Sequence, residues 1–252
     1  MENNAGEFQT GPKNFDVFLR GETVDLCAPS DDDWVIEQWY RWFNKPDITK
    51  YLAQGVYPNT FKLQKTYYDN LINSGSRIAL LIKPKKHDHF VGVASLSSID
   101  TARRQCDFAM VIGEKMNDGD SLFYGIESKC LMTEHAFENL GVERINSSQA
   151  AELVVWQRWQ ILFGYQIEGL QRKTRKGGKT YDVLLSSCLL EDYLKIMELR
   201  GGKLWPGKKA MFELLKRLPS VTLIDELMAW LPKKQRAYFD SITFHLDVAK
   251  NG

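Results

Sequence analysis

The sequence predicts an α+β fold: a mixed, mostly antiparallel central sheet flanked by helices, with a helical extension at the C-terminal end. Three observations carry this. Segments with β alternation and segments with helical periodicity interleave without a regular βαβ repeat. Three β-capable runs, at 77–84, 90–100 and 105–115, follow one another across short turns, as antiparallel neighbours do. The 252 residues are 44% hydrophobic and 26% charged, enough apolar material for a sizeable core and too much for global disorder.

Residues 1–14, rich in Asn and Gly, read as a flexible leader. The stretch FDVFLRGETVDLCAP (15–29) reads as a strand, a Gly-marked turn and a second strand piece. Asp31-Asp32-Asp33 precede Trp34, Ile36, Trp39, Tyr40, Trp42 and Phe43 at helical spacing. Aspartates there suit the exposed N–H groups of a helix start, and Pro46 is expected to end that helix. A second helix is expected from Thr60 to Asn73, with Phe61, Leu63, Tyr67, Leu71 and Ile72 on its apolar side. KKHDH (85–89) reads as a solvated hairpin turn between the first two strands of the central run. The loop MNDGDSLFYG (116–125) then enters a helix that reaches Asn139 and stops at Gly141. VERINSSQ (142–149) is a strand, a Trp-rich helix runs to Gly164, and 165–190 is a hairpin turning at KGGK. Helical segments follow at Glu191–Leu199, Lys208–Leu218, Leu223–Trp230 and Lys233–Phe239, broken by Gly201-Gly202, Pro206-Gly207, Pro219 and Pro232.

Charge and composition exclude several functions. Lys and Arg number 33 against 32 Asp and Glu, so no strong positive field is available to coat nucleic acid or an anionic membrane. The four cysteines form no CxxC pair and the histidines no HExxH pattern, so no metal site is expected. No apolar run reaches the ~18–20 residues of a membrane span, and Met1–Lys13 lacks the apolar segment of a signal peptide. A soluble cytoplasmic protein is the expectation. The unit at 107–163, strand–loop–helix–strand–helix, holds the chemical promise, because a loop entering a helix N-terminus beside a strand end suits an anion.

Several stretches carry a resemblance. They are NKPDITKYLAQGVYPNT (44–60), CDFAMVIGEK (106–115), GIESKCLMTEHAFENLGVERI (125–145), LFGYQIEG (162–169) and RKTRKGGKTYDVLLSSCLLEDY (172–193). In order and spacing they resemble the GNAT superfamily of acyl-CoA-dependent N-acyltransferases. The nearest branch holds amino-sugar and ribosomal-protein N-terminal acetyltransferases. The resemblance implies a V-shaped splay between two parallel strands, Asp107–Gly113 and Arg144–Ser148. Acetyl-CoA or a longer acyl-CoA would be the co-substrate, with no permanently bound cofactor. Its arm would lie along Val111, Ile112, Gly113 and Ser148, and its pyrophosphate at Gly119, Ser121, Tyr124 and Gly125. The sequence departs from the family at that loop: of the usual glycines only Gly125 remains, and Asp120 has the wrong sign for a diphosphate. Leu153 stands where Asn is usual. Gln160 stands where a Tyr often serves as acid for the leaving thiolate. The acid has moved, or the thiolate (pKa ~8.5 as a free thiol) leaves unaided, or turnover is lost.

Asp107 is the candidate base, with pairing to Arg103 or Arg104 as the structural alternative. Gln54, Tyr57 and Asn59 border the expected acceptor site, or merely shape the turn around Gly55 and Pro58. Arg172, in the basic hairpin 172–179, is a candidate phosphate contact or a solvated turn residue. Glu127 suits the helix dipole, Glu134 a solvated face, and His135, Cys106, Cys130 and the Trp set core packing. The expected acceptor is the amino group of a dTDP- or UDP-linked amino sugar. The alternatives are a protein N-terminus, another small amine, or a non-catalytic CoA-binding module. The chain divides into a leader (1–14), an acyltransferase domain (15–199) and a helical extension (200–252) expected to pack on the core and to support a homodimer.

Overall fold

The computed structural model describes residues 14–220 and 222–230. Eight strands form one sheet: β1 (Val17–Arg20), β2 (Val24–Cys27), β3 (Ile78–Pro84), β4 (Gly92–Asp100), β5 (Gln105–Ile112), β6 (Arg144–Ala150), β7 (Gln166–Lys176) and β8 (Lys179–Leu189). Their order is β1-β2-β3-β4-β5-β6-β8-β7. All neighbours are antiparallel except β5 and β6. That parallel pair is short: Gln105↔Arg144, Cys106↔Ile145 and Asp107↔Asn146, after which the strands part.

Strand alternation sorts the core into two layers. Leu80, Ile82, Ala94, Leu96, Cys106 and Phe108 face α4 (Ser121–Glu134), which continues through a π-turn to Asn139. Ala79, Leu81 and Val93 face the other side, where Val35, Trp39 and Trp42 of α1 (Asp33–Trp42) and Leu71 of α3 (Phe61–Ile72) cover them. The Trp set thus divides between the two layers as packing. Cys106 and Cys130 are buried, and His135 packs edge-on against Phe18.

Four local expectations are corrected. Pro46 does not end α1, which stops at Trp42. It opens the short α2 (Pro46–Thr49) from the first helical position, where a missing N–H costs nothing. On α3 the inward stripe is Gln64, Tyr67 and Leu71, while Leu63 and Ile72 are 55% and 59% exposed. Asn59 Nδ2 donates to Gln64 Oε1 (3.0 Å), which lets a glutamine take the buried place. Glu127 does more than favour a dipole. It is wholly buried, and its carboxylate accepts from the backbone of Glu22, Thr23 (2.7 Å) and Val24 (3.2 Å) and from the Thr23 hydroxyl (2.5 Å), pinning the β1–β2 turn to α4. Glu134 is not a solvated residue either. It accepts from the Leu204 N–H (3.0 Å), and burial pushes its carboxyl up from the usual value.

After α5 (Val154–Gln160) and α6 (Leu190–Leu199), the chain runs back over the α4 face through α7 (Lys208–Lys216), and α8 (Leu223–Trp230) packs against β7. Leu204 and Met211 are wholly buried in the α4-side core, and Trp205 packs edge-on against Phe123. Glu22 accepts from Trp205 Nε1 (2.9 Å) and the Lys208 N–H (2.8 Å), and Arg158 Nε donates to the Pro219 carbonyl (2.9 Å). The extension therefore packs on the core. The expected helix at Lys233–Phe239, and the leader apart from Asn14, lie outside the described residues. Among the described residues no helix is long and apolar enough to cross a membrane.

Candidate active site

The site is built around the seam where β5 and β6 part. Past Asp107 and Asn146, β5 pairs only with β4 and β6 only with β8, so the backbone edges that face each other have no strand partner among the described residues. Interior backbone groups of this kind require a partner. The side chains lining the seam point to the same need. Gln149 of β6 is 6% exposed, and neither its amide oxygen nor its amide nitrogen has a hydrogen-bond partner among the described residues.

Asp107 sits at the closed end of the seam, on the α1/α3 side of the sheet. Asn146 Nδ2 donates to its Oδ1 at 3.1 Å. Neither nearby arginine pairs with it: Arg103 lies 3.8 Å from Asp100, and Arg104 bonds Glu143. Above Asp107 on this face, Val93, Ser95, Ala109, Met110 and Val111 floor a cavity of about 370 Å³. Its wall is Trp39, Phe43 and Tyr67, and its rim is the loop carrying Gln54, Tyr57 and Asn59. The lining holds no carboxylate. A second cavity of about 750 Å³ shares Phe43 and residues 55–58 with the first. It is lined by Asp47, Lys50, Tyr51, Glu152, Lys176, Lys179 and Tyr181. Tyr57 stands between the two, 83% exposed.

The hairpin β7–β8 reaches this loop, but not through Arg172, which is exposed and lines neither cavity. Lys176 makes the contact. Its ammonium donates to the carbonyls of Thr49, Leu52 and Gln54, and burial lowers its pKa. Three carbonyls on one cation fix a loop that has little regular structure of its own.

On the opposite face lies the N-terminus of α4. Gly119 is open, with nothing within 4 Å of where a Cβ would stand, and Ser121 is half-buried. Tyr124 is buried, and Gly125 turns inward, so that a Cβ would meet Met110 at 3.1 Å. Gly113 packs against Trp42 and Ile112 against the α4-side core. Ser148 is exposed on β6. Two carboxylates occupy the helix start. Asp118 accepts from Tyr124 (2.7 Å) and lies 2.5 Å from His87 Nε2. Burial pushes it up, but those two hydrogen bonds outweigh burial and hold its pKa at about 2. Asp120 is held by Lys208 (2.7 Å) and Lys86 (2.5 Å), which keep its carboxyl below the usual range. The KKHDH turn is therefore not a free solvated loop, because Lys86 and His87 close over this helix end. Leu215 and Leu218 lie over Leu122 and Trp159 beside it, around a space of about 130 Å³.

A sequence-family profile described as "Acetyltransferase (GNAT) domain" matches residues 24–152, just over half of the chain. The chain belongs to the GNAT acetyltransferase family. As a family member it is an N-acyltransferase with an acyl-CoA donor. Solved structures share the fold at low identity. The spermidine N-acetyltransferase of Vibrio cholerae, in complex with CoA and spermine, aligns at a TM-score of 0.60 and 18% identity. The alignment covers 68% of this chain and 98% of that one. The microcin C7 self-immunity acetyltransferase, in complex with acetyl-CoA and AMP, aligns at 0.55 and 18%, covering 68% and 94%. A GNAT-family acetyltransferase from Bacillus anthracis aligns at 0.57 and 17%, covering 69% and 99%. No curated protein matches the sequence. The GNAT sheet accounts for the seam: its single parallel pair is where this chain parts its strands.

Sequence reasoning missed Ser147, Gln149 and Lys129, and it read Lys176 only as one of a basic hairpin cluster, a candidate phosphate contact, where it instead holds the carbonyls of the loop at 49–54. For Lys129 a signal was present: a lysine flanked by Ser128, Cys130, Leu131 and Met132, in a helix stretch whose other charged residue is Glu127.

Proposed function

We propose that this GNAT enzyme acylates the amino group of a small acceptor that carries a phosphorylated handle, a dTDP- or UDP-linked amino sugar being the specific expectation. The observation that supports it is the pair of joined cavities. The inner one is aromatic and free of carboxylates, which suits a sugar ring and disfavours a polycation such as a polyamine. The outer one brings Lys50 and Lys179 to its lining beside Asp47 and Glu152; Lys50 lies 3.9 Å from Glu152, so Lys179 is the cation offered to a diphosphate, and Tyr57 stands ready to stack.

In this reading the donor's pantetheine arm lies in the seam. Its amides meet the unpartnered backbone of β5 and β6 and the Gln149 amide. Val111, Ile112, Gly113 and Ser148 flank the arm. Gly119 and Ser121 approach the phosphates, with Lys86 and Lys208 supplying charge; Tyr124 and Gly125 support that loop from behind. Asp107, one oxygen bonded by Asn146, accepts the amine proton directly or through water. The amine nitrogen then bonds to the acyl carbon, the carbon–sulfur bond breaks, and the thiolate leaves.

The test is thiol release from acetyl-CoA with a panel of nucleotide-linked amino sugars, polyamines and N-terminal peptides. Turnover with the sugars above the rest is expected. Preference for peptides or polyamines overturns the acceptor assignment, and CoA binding without turnover on any amine overturns catalysis.

A further inference from the structure

Behind the seam, three side chains form a line of hydrogen bonds that the steps above do not use. Lys129, midway along α4, is wholly buried. Its amine is enclosed by four rings, with centroids at 3.8 Å (Tyr165), 4.6 Å (Phe108), 5.1 Å (Phe163) and 5.3 Å (Trp156). Burial holds its pKa well below the ordinary lysine value, and among the described residues no carboxylate pairs with it. Its amine donates to Gln160 Oε1, and Gln160 Nε2 donates to Ser147 Oγ at 2.9 Å. Gln160 is also wholly buried, and Ser147 is 8% exposed.

Packing alone does not call for this arrangement. An amine without a counter-ion in a core costs several kcal/mol in desolvation, and a methionine would fill the same space without that cost. The line also has a direction. Because Lys129 donates, Gln160 turns its oxygen to the amine and its NH₂ to Ser147. The Ser147 oxygen is thereby an acceptor, and its own hydrogen is left to point elsewhere. Ser147 is the first β6 residue beyond the last parallel pair, Asp107↔Asn146, and its hydroxyl lies on the α4 side of the sheet where the seam begins.

Given the reading of the seam as the seat of the thioester, we propose that Ser147 donates a hydrogen bond to the departing sulfur, and that Gln160 and Lys129 are positioning residues that aim its hydroxyl. As the acyl carbon bonds to the amine nitrogen, the electron pair of the carbon–sulfur bond passes to sulfur. The Ser147 proton stays on Ser147, and the amine proton leaves by Asp107 or water. A fixed donor in a water-poor site stabilises developing charge without reorganising at the moment of reaction.

The experiment uses the full chain, acetyl-CoA and the amine it acylates best. Ser147→Ala is expected to lower kcat about 10–100-fold with KM for acetyl-CoA within about 3-fold, and Ser147→Thr to restore most of the loss. The Ser147→Ala penalty should shrink for an acyl thioester of a more acidic thiol, whose thiolate needs less help, a response that a packing role would not give. Lys129→Met is expected to lower kcat alone, yet to add nothing in the double variant with Ser147→Ala. An unchanged kcat in Ser147→Ala overturns the donor role. Independent, multiplying losses overturn the positioning role. If Lys129→Met does not fold, as judged by thermal melting, Gln160→Leu takes its place in the same cycle. A wild-type chain that turns over no amine refutes the acyltransfer reading itself, which is distinct from a wild type that works and a Ser147→Ala that works equally well.

Discussion

Glu127 ties the first hairpin to the helix beside the seam, and Glu127→Ala measures that tie. The substitution leaves the Thr23 and Val24 N–H groups and the Thr23 hydroxyl without their acceptor, in residues that are 6% and 0% exposed. Each stranded buried donor costs ~1–3 kcal/mol. Removing the buried charge recovers part of that, so the net loss is about 3–6 kcal/mol. Against a total of ~5–15 kcal/mol this is a large fraction. At ~2–4 °C per kcal/mol for a chain of this size, Tm should fall by roughly 6–24 °C. Glu127→Gln keeps one acceptor oxygen and should fall between Ala and wild type. The assay is thermal melting by circular dichroism, with hydrogen exchange at residues 22–24. The effect should spread to residues 204–208, because Glu22 in the same turn holds Trp205 and Lys208. A Tm within ~2 °C of wild type, or unchanged protection at 22–24, refutes the reasoning.

Further outcomes are expected. Asp107→Ala should lower kcat by ~10²-fold or more with KM for acyl-CoA nearly unchanged, and an unchanged rate reassigns Asp107 to structure. Lys176→Met releases three carbonyls of the acceptor loop and should raise KM for the amine about 10-fold or more while leaving CoA affinity alone. Equal effects on both substrates would place Lys176 elsewhere in the mechanism. Asp118, held at about 2 when folded against ~3.9 unfolded, adds stability that is full above pH ~4 and lost as pH falls toward 2. Acid melting of Asp118→Asn should lack that part of the wild-type decline, and an identical acid profile would show that the carboxylate is not coupled to folding.

Much of the fold was legible because it rests on local patterns. The apolar, β-capable runs RIALLIKP and FVGVASLSSID, the KGGK turn and the Asp run before Trp34 each mark an element by themselves. What was not legible depends on partners far away in the chain. Lys176 and Arg172 look alike in a basic hairpin, and only the register of β7 on β8 takes one to the loop at 49–54. Glu134 reads as a surface residue until Leu204, 70 residues on, arrives to bond it. Gln160 reads as a lost acid, and its bond to Lys129 is invisible without the packing of α5 on α4. Of the residues singled out from sequence, Gln54, Tyr57 and Asn59 come together on the rim of the inner cavity. Ser147 and Gln149 were passed over because small polar residues on a strand carry no signal until the strand loses its neighbour.

The seam also has a mechanical meaning. Five strands lie on one side of it and three on the other, and the two plates meet along only three residue pairs. An extended molecule bearing amides, laid in that gap, would occupy the place of a missing strand and join the plates into one continuous sheet. Substrate loading and completion of the sheet would then be a single event.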